Sequence, residues 1–371
     1  MRKESISILS IVLALVLIGF YSVYSAGAAQ PYGDARLLRQ CVYLVAGVFV
    51  LFCASHFDYH YLQSRLLFRL IVCVTLALLI AVLVPGIGVE INGARRWIEL
   101  GGFRFQPSEL AKFALILLLS VKLAANQEVI AEFKKGYMPS FMIMGLFALL
   151  VVLENDLGTP VVMCVTAFVM FFIAGVRWYY LLPSLVPAAG ALWLLILIKP
   201  HRRERMVAFM DPWGNADASS YQLIQSMTAY VKGSLWGVGP GAGEQKLHYL
   251  PESDTDFILT VWAEEMGLAG TLVVVVLFVS LLMVSVRIAT HARDLFGTLL
   301  VSGIAALVVF QAAFNMSVTI GLLPTKGLPL PFISRGGTSL VVLMGMIGIL
   351  INVGLQAEPL RPKVVQPVPQ T

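Results

Sequence analysis

The chain is dominated by apolar runs of bilayer-crossing length, at residues 6–24, 40–56, 66–84, 107–124, 139–153, 160–176, 181–198, 257–286, 298–320 and 335–355. About 20 apolar residues span the hydrocarbon of a membrane. Lipid offers no water to backbone N–H and C=O groups, so each run must satisfy its own and fold as a helix. The ten runs predict an all-α membrane protein, a bundle of about ten transmembrane helices. The run at 139–153 is short, and the one at 257–286 is long enough to tilt or to extend beyond the lipid. The first run follows Arg2 and Lys3 and precedes Ala26-Gly27-Ala28, which imitates a secretion signal. Its apolar stretch is too long for one, and nine runs follow, so it reads as an anchor.

Composition removes the alternatives. Of 371 residues, 58% are hydrophobic and 13% charged, with mean hydropathy +0.85. Soluble domains carry roughly 25% charged residues, so a soluble enzyme is excluded, as is a disordered chain. A net charge of +5 without a basic patch interleaved with aromatics gives no nucleic-acid signal. Cys41, Cys53, Cys73 and Cys164 lack metal or CxxC spacing and read as small core residues. His56 and His60 are four apart without a third ligand nearby, and read as part of a membrane-surface loop.

An even number of spans puts both termini on one side. Lys and Arg divide almost equally between the two sides, until the long loop at about 199–256 is set aside. Long loops translocate whatever their charge, and the remaining count favours cytoplasmic termini. Residues 1–355 thus read as one membrane domain with a large outer loop, and Pro-rich residues 356–371 as a disordered cytoplasmic tail.

Acidic and basic residues crowd the outer side. Arg95 and Arg96 lie beside Trp97, Phe103 and Phe105, an interfacial anchor or a clamp on lipid phosphate. Pro107 suits the first helical turn. Glu109 and Lys112, three apart inside a span, form either a buried structural pair or the cationic lining of an outward cavity. Glu154 and Asp156, before Thr159 and Pro160, could hold a cation or a sugar, or pair with arginine. The basic entry Lys199–Arg205 opens the long loop. The glycine run Gly237–Gly243 has no preceding strand and contains Pro240, so it reads as close backbone approach, with Lys246 after it. Asp256 sits at the lipid surface among Glu252, Asp254, Glu264 and Glu265. Crowded, desolvated carboxylates gain basicity, which suits a general base; a helix cap is the plain alternative. Leu323–Pro331 and Ser334–Ser339, rich in Pro and Gly and carrying Lys326 and Arg335, form a re-entrant-like stretch of the kind tolerated only beside protein or a wet cavity.

The stretches GARRWIELGGFRFQPSELAKF, ENDLGTP, RRERMVAFMDPW with YQLIQS, GVGPGAGEQKLHYLPESDTDFI with AEEMG, and NMSVTIGLLPTKGLPLPFISRGGTSL occur in order over residues 90–345. Together they resemble the shape, elongation, division and sporulation (SEDS) family of bacterial glycosyltransferases. The form TKGLPLP is more similar to the cell-division branch than to the elongation branch. The resemblance implies polymerisation of lipid II into glycan strands on the outer face of the cytoplasmic membrane, at the division septum. It implies a class B penicillin-binding transpeptidase as partner, with other divisome proteins and membrane lipid. The family's catalytic aspartate falls on Asp256, its polar pair on Glu109 and Lys112, and its polar turn on Asp156. Arg95, Arg96, Lys246, Glu252, Lys326 and Ser334 join these as substrate-binding candidates. A divalent cation, Mg or Mn, would bridge diphosphate and carboxylates, with Asp256 and either Asp254 or Glu252 as ligands; no organic cofactor is implied. Two positions depart from the family: Asp254 stands where it usually has His, and Arg335 where it usually has Tyr. A lipid flippase and a non-catalytic scaffold for the transpeptidase are the rival readings.

Overall fold

A computed structural model of the chain describes residues 2–27, 33–91, 93–101, 103–214, 218–247 and 250–357. Ten apolar helices answer the ten runs: α1 (Arg2–Gly27), α2 (Gly33–His56), α3 (Arg65–Leu83), α4 (Pro107–Ala125), α5 (Met138–Leu153), α6 (Gly158–Ile173), α7 (Trp178–Ile198), α10 (Ile258–Thr290), α11 (Leu295–Thr319) and α12 (Gly337–Gln356). Between α7 and α10 lie two more, α8 (Pro200–Met210) and α9 (Ala218–Gly233). Eight are long and apolar enough to cross a membrane; α6 is shorter, and α4 carries Glu109, Lys112 and Lys122. The chain is a multi-pass membrane protein. The tail expected to be disordered falls, from residue 358 onward, outside the described residues.

α11 and α12 bury most of their surface and form the centre, whereas α7 buries only Leu181 and stands at the rim. α12 packs most extensively on α2, and α1 packs on α10 and α12. At Gly19 of α1 a side-chain carbon would lie 2.6 Å from the Ile333 Cα. Only glycine permits that approach, so Gly19→Ala should lower stability by roughly 1–3 kcal/mol; thermal unfolding in detergent measures it.

The helical frame carries one small sheet that hydropathy did not indicate. Strands β1 (Gly88–Ile91), β2 (Ala94–Leu100) and β3 (Phe103–Phe105) form an antiparallel meander between α3 and α4. Thr338 Oγ1 of α12 donates to the Arg104 carbonyl at 3.0 Å and accepts from the Gln106 N–H at 3.3 Å, tying the sheet to the bundle.

The long run near residue 257 is two helices end to end, broken at Gly267 (φ 67°, ψ −165°), a conformation side chains resist. The backbone groups freed by the break pair with residues 234–239. Leu268 N–H donates to Ser234 O (2.9 Å), and Val238 N–H donates to Glu264 O (3.0 Å). A Cβ on Gly237 would fall 2.1 Å from Glu265 O. The close approach expected of the glycine run is therefore made to the broken helix α10.

Candidate active site

The segments joining α3 to α4, α7 to α10 and α11 to α12 meet at one end of the bundle and, with α2, enclose a cavity of about 510 Å³, the size of small-molecule sites. Its wall includes Asp256, Glu252, Glu109, Arg96, Arg205 and Lys326, with Arg36 and Arg39 from α2, Arg104 from β3, Gln222 from α9, and Arg335. A smaller side pocket of about 90 Å³ shares Arg96, Arg205, Lys326 and Gly327 with it and adds Asp156, His201 and Arg202.

The floor is the segment between α11 and α12. It has no helix between Gly321 and Gly336, so its backbone groups need partners from outside. Gln311 Nε2 donates to Pro329 O (2.8 Å), and Asn315 Nδ2 donates to Leu328 O (2.7 Å). Ser334 Oγ accepts from Leu330 N–H (2.7 Å) and donates to Thr255 O (2.6 Å). Asn315 Nδ2 also donates to Asp256 O at 2.8 Å. One amide thus fixes both the floor and the loop bearing Asp256.

Asp256 does not cap α10: the capping position is Phe257, and no side chain caps that end. Its carboxylate is half-buried at the cavity wall, close enough to Gly327 that a Cβ there would lie 3.0 Å from Oδ2. Burial, and then Glu252, push its pKa up to about 7, against the pull of Arg96 and Arg205. Opposite it, burial and the arginines Arg205 and Arg202 bring Lys326 down to about 8. The Lys326 ammonium has no hydrogen-bond or ion-pair partner among the described residues, while its carbonyl accepts from Leu328 N–H at 3.0 Å. Several cations therefore face a wet cavity with few carboxylates to neutralise them, an arrangement that favours an anionic ligand.

The remaining candidates divide. Arg96 lines both spaces. Its Nη2 donates to Asn155 O (2.7 Å), and its Nη1 lies 3.8 Å from Asp156 Oδ2. Arg95 is the next residue on the same strand, so it points to the other face. It pairs with Glu90 at 3.1 Å and does not line the cavity. Asp156 stands one residue before Leu157, the capping position of α6, and accepts from the N–H groups of Gly158 (2.9 Å) and Thr159 (3.3 Å) while lining the side pocket. Glu154 is fully buried, and neither carboxylate oxygen has a hydrogen-bond partner among the described residues. Burial raises it to about 8.

Lys112 does not line the cavity as expected. It is completely buried behind Glu109, with Nζ 2.8 Å from Glu109 Oε2 and donating to Gln311 Oε1 at 2.8 Å. Lys246 is also withdrawn from the cavity. Beneath the glycine run its ammonium meets Glu265 Oε1 (2.6 Å), Ser25 Oγ (2.7 Å) and Gly241 O (2.7 Å). Ser334 acts through its loop-bridging hydroxyl and is not on the cavity wall. Glu252 accepts from Thr255 Oγ1 (2.9 Å) and borders the cavity beside Asp256.

Sequence reading gave no site role to Arg36, Arg39, Arg104, Arg205 or Gln222. Arg205 had a signal, the basic run opening the long loop; its helix, α8, brings that charge over the cavity.

The FtsW/RodA/SpoVE family model, described as a cell cycle protein, matches residues 5–358. The chain belongs to this family. It is similar to the probable peptidoglycan glycosyltransferase FtsW of Geobacter sp. (strain M18), 40% identical over 95% of this chain and 97% of the relative. Stage V sporulation protein E of Bacillus subtilis is 36% identical over 95% of this chain and 98% of its own. Among solved structures, a chain from work on coordinated polymerization and crosslinking by a peptidoglycan synthase complex matches with TM-score 0.77 and 31% identity. That match covers 94% of this FtsW/RodA/SpoVE member and 97% of the solved chain. The rod shape determining protein RodA of Thermus thermophilus matches with TM-score 0.68 and 29% identity over 95% and 97% of the two chains.

Proposed function

We propose that this chain is a peptidoglycan glycosyltransferase that polymerises lipid II during cell division, with Asp256 as general base. The carrying observation is that Asp256 shares one cavity with Arg96, Arg205 and Lys326. The names of the relatives and the family membership support the same reaction. We place both termini in the cytoplasm, the cavity on the outer face and the enzyme at the septum. The crosslinking described for the similar synthase complex supports a class B transpeptidase as partner, alongside other divisome proteins.

In this mechanism Asp256 takes the proton from the acceptor sugar hydroxyl as its oxygen attacks the anomeric carbon of the donor. The carbon–oxygen bond to the polyprenyl diphosphate breaks from the opposite face, so the anomeric configuration inverts. Arg96, Arg205 and Lys326 stabilise the charge that develops on the leaving diphosphate. A divalent ion fits this site on limited terms. Asp256 and Glu252 offer hard oxygen donors, and Mg²⁺ often takes one or two carboxylates and completes its shell with phosphate oxygens and water. No group of three metal-ligating side chains lies together among the described residues. Asp254 is occupied by two arginines, which leaves Asp256 and Glu252 to hold the ion. Bound there, it would neutralise part of the diphosphate charge.

The test is polymer formation from labelled lipid II by the purified protein, with and without its transpeptidase. Lipid movement across vesicles without polymer would favour a flippase and overturn the proposal; neither activity would favour a scaffold. The pH dependence is also set. A base must be ionised, and Asp256 sits at about 7, so turnover should rise as pH increases through that value. Glu252→Gln removes a charge that raises this pKa, and with both proteins compared at saturating divalent cation the acidic limb of the rate profile should move to lower pH. An unmoved limb would disconnect Glu252 from the base.

A further inference from the structure

Asp254 lies two residues before the proposed base and is 4% exposed. Its Oδ2 is 2.9 Å from Arg335 Nε and 3.3 Å from Arg36 Nη1. The Arg335 N–H also donates to Asp254 O at 3.0 Å. Arg36 comes from α2, Asp254 from the loop before α10, and Arg335 from the segment before α12. Three stretches far apart in sequence meet at one carboxylate oxygen. Buried ion pairs are poor sources of net stability, because desolvation offsets much of their attraction. What such a pair supplies here is geometry. Thr255 O and Asp256 O are held by the neutral donors Ser334 and Asn315, whereas the Asp254 side chain is held by charge. Arg36 and Arg335 border the cavity, and the Asp254 carboxylate stands behind them.

We propose that Asp254 is a positioning residue whose ion pairs with Arg335 and Arg36 lock the Asp256 loop in register with the floor segment and α2, so that the base faces the bound sugar. This rests on the reading of Asp256 as the base, and its test leaves Asp256 intact. The variants are Asp254→His, Arg335→Tyr and the two combined, with kcat and KM for lipid II measured on protein whose unfolding lies above the assay temperature. Asp254→His, which is off the cavity wall, should lower kcat roughly ten- to a hundredfold at nearly constant KM, as for a misplaced catalytic group; Arg335→Tyr should lower kcat similarly and also raise KM, because it removes a cation from the wall. The combined variant should lose little more than either single change, because both break the same contact and residues in contact are not additive. Folded single variants with parental kcat, or a combined variant in which the losses multiply, would overturn the proposal. If Asp254→His does not fold, Arg335→Lys against Arg335→Tyr decides the point. Retention of kcat by the first and loss by the second supports the clasp, and equal values overturn it. Activity retained by Asp256→Asn but lost by the clasp variants would sink the base assignment and leave the clasp standing.

Discussion

Asp256→Asn should leave the protein folded and reduce lipid II polymerisation by at least about 10²–10⁴-fold, the usual contribution of a positioned general base. The substitution keeps the size of the side chain and leaves untouched the hydrogen bond from Asn315 to the backbone carbonyl, which fixes the loop. It removes only the proton acceptor. Unfolding temperature in detergent should therefore stay near the parental value, and a small rise would be natural, because a half-buried carboxylate against the floor is costly to ionise. Glycan strands run on a gel after incubation with lipid II provide the readout. Strand synthesis at the parental rate would remove Asp256 from the chemistry, and a collapse of folding would show it to be structural.

The second large effect concerns stability. Glu109 and Lys112 form an ion pair in the first two turns of α4, at 2.8 Å and almost completely buried. Lys112→Met leaves Glu109 as an uncompensated buried charge, which typically costs about 3–5 kcal/mol. Glu109→Gln together with Lys112→Met removes both charges and should restore most of that loss. Thermal unfolding of the single and combined variants checks the pattern; equal destabilisation by both would show that the charge itself is not what matters. Activity need not follow stability, since Glu109 also borders the cavity.

The helices were legible because lipid imposes one rule along each run, and hydropathy reads that rule directly. All ten apolar runs lie on helices close to the expected positions. The sheet was not legible, because Trp97, Phe103 and Phe105 suit a membrane interface as well as a strand. Its consequence for the site is concrete: strand alternation separates Arg95 from Arg96, which a reading by composition grouped together. α8 and α9 are polar helices without an apolar run, so nothing in hydropathy revealed that Arg205 and Gln222 would be carried over the cavity. Lys246 looked like a substrate-binding cation, but its partner Glu265 lies two turns into α10, and only the fold joins them. Arg36, Asp254 and Arg335 meet across most of the chain's length, and no local pattern encodes such a meeting.

The break at Gly267 has a consequence for how the protein is seated. An unbroken α10 would be longer than a hydrocarbon layer requires. From Leu268 to Thr290 the continuous part measures roughly 34 Å at 1.5 Å per residue, close to the ~30 Å thickness of that layer. The glycine sets where the continuous stretch of bilayer length begins, and leaves Glu264 and Glu265 on the short helix before it, where they hold the glycine run and Lys246.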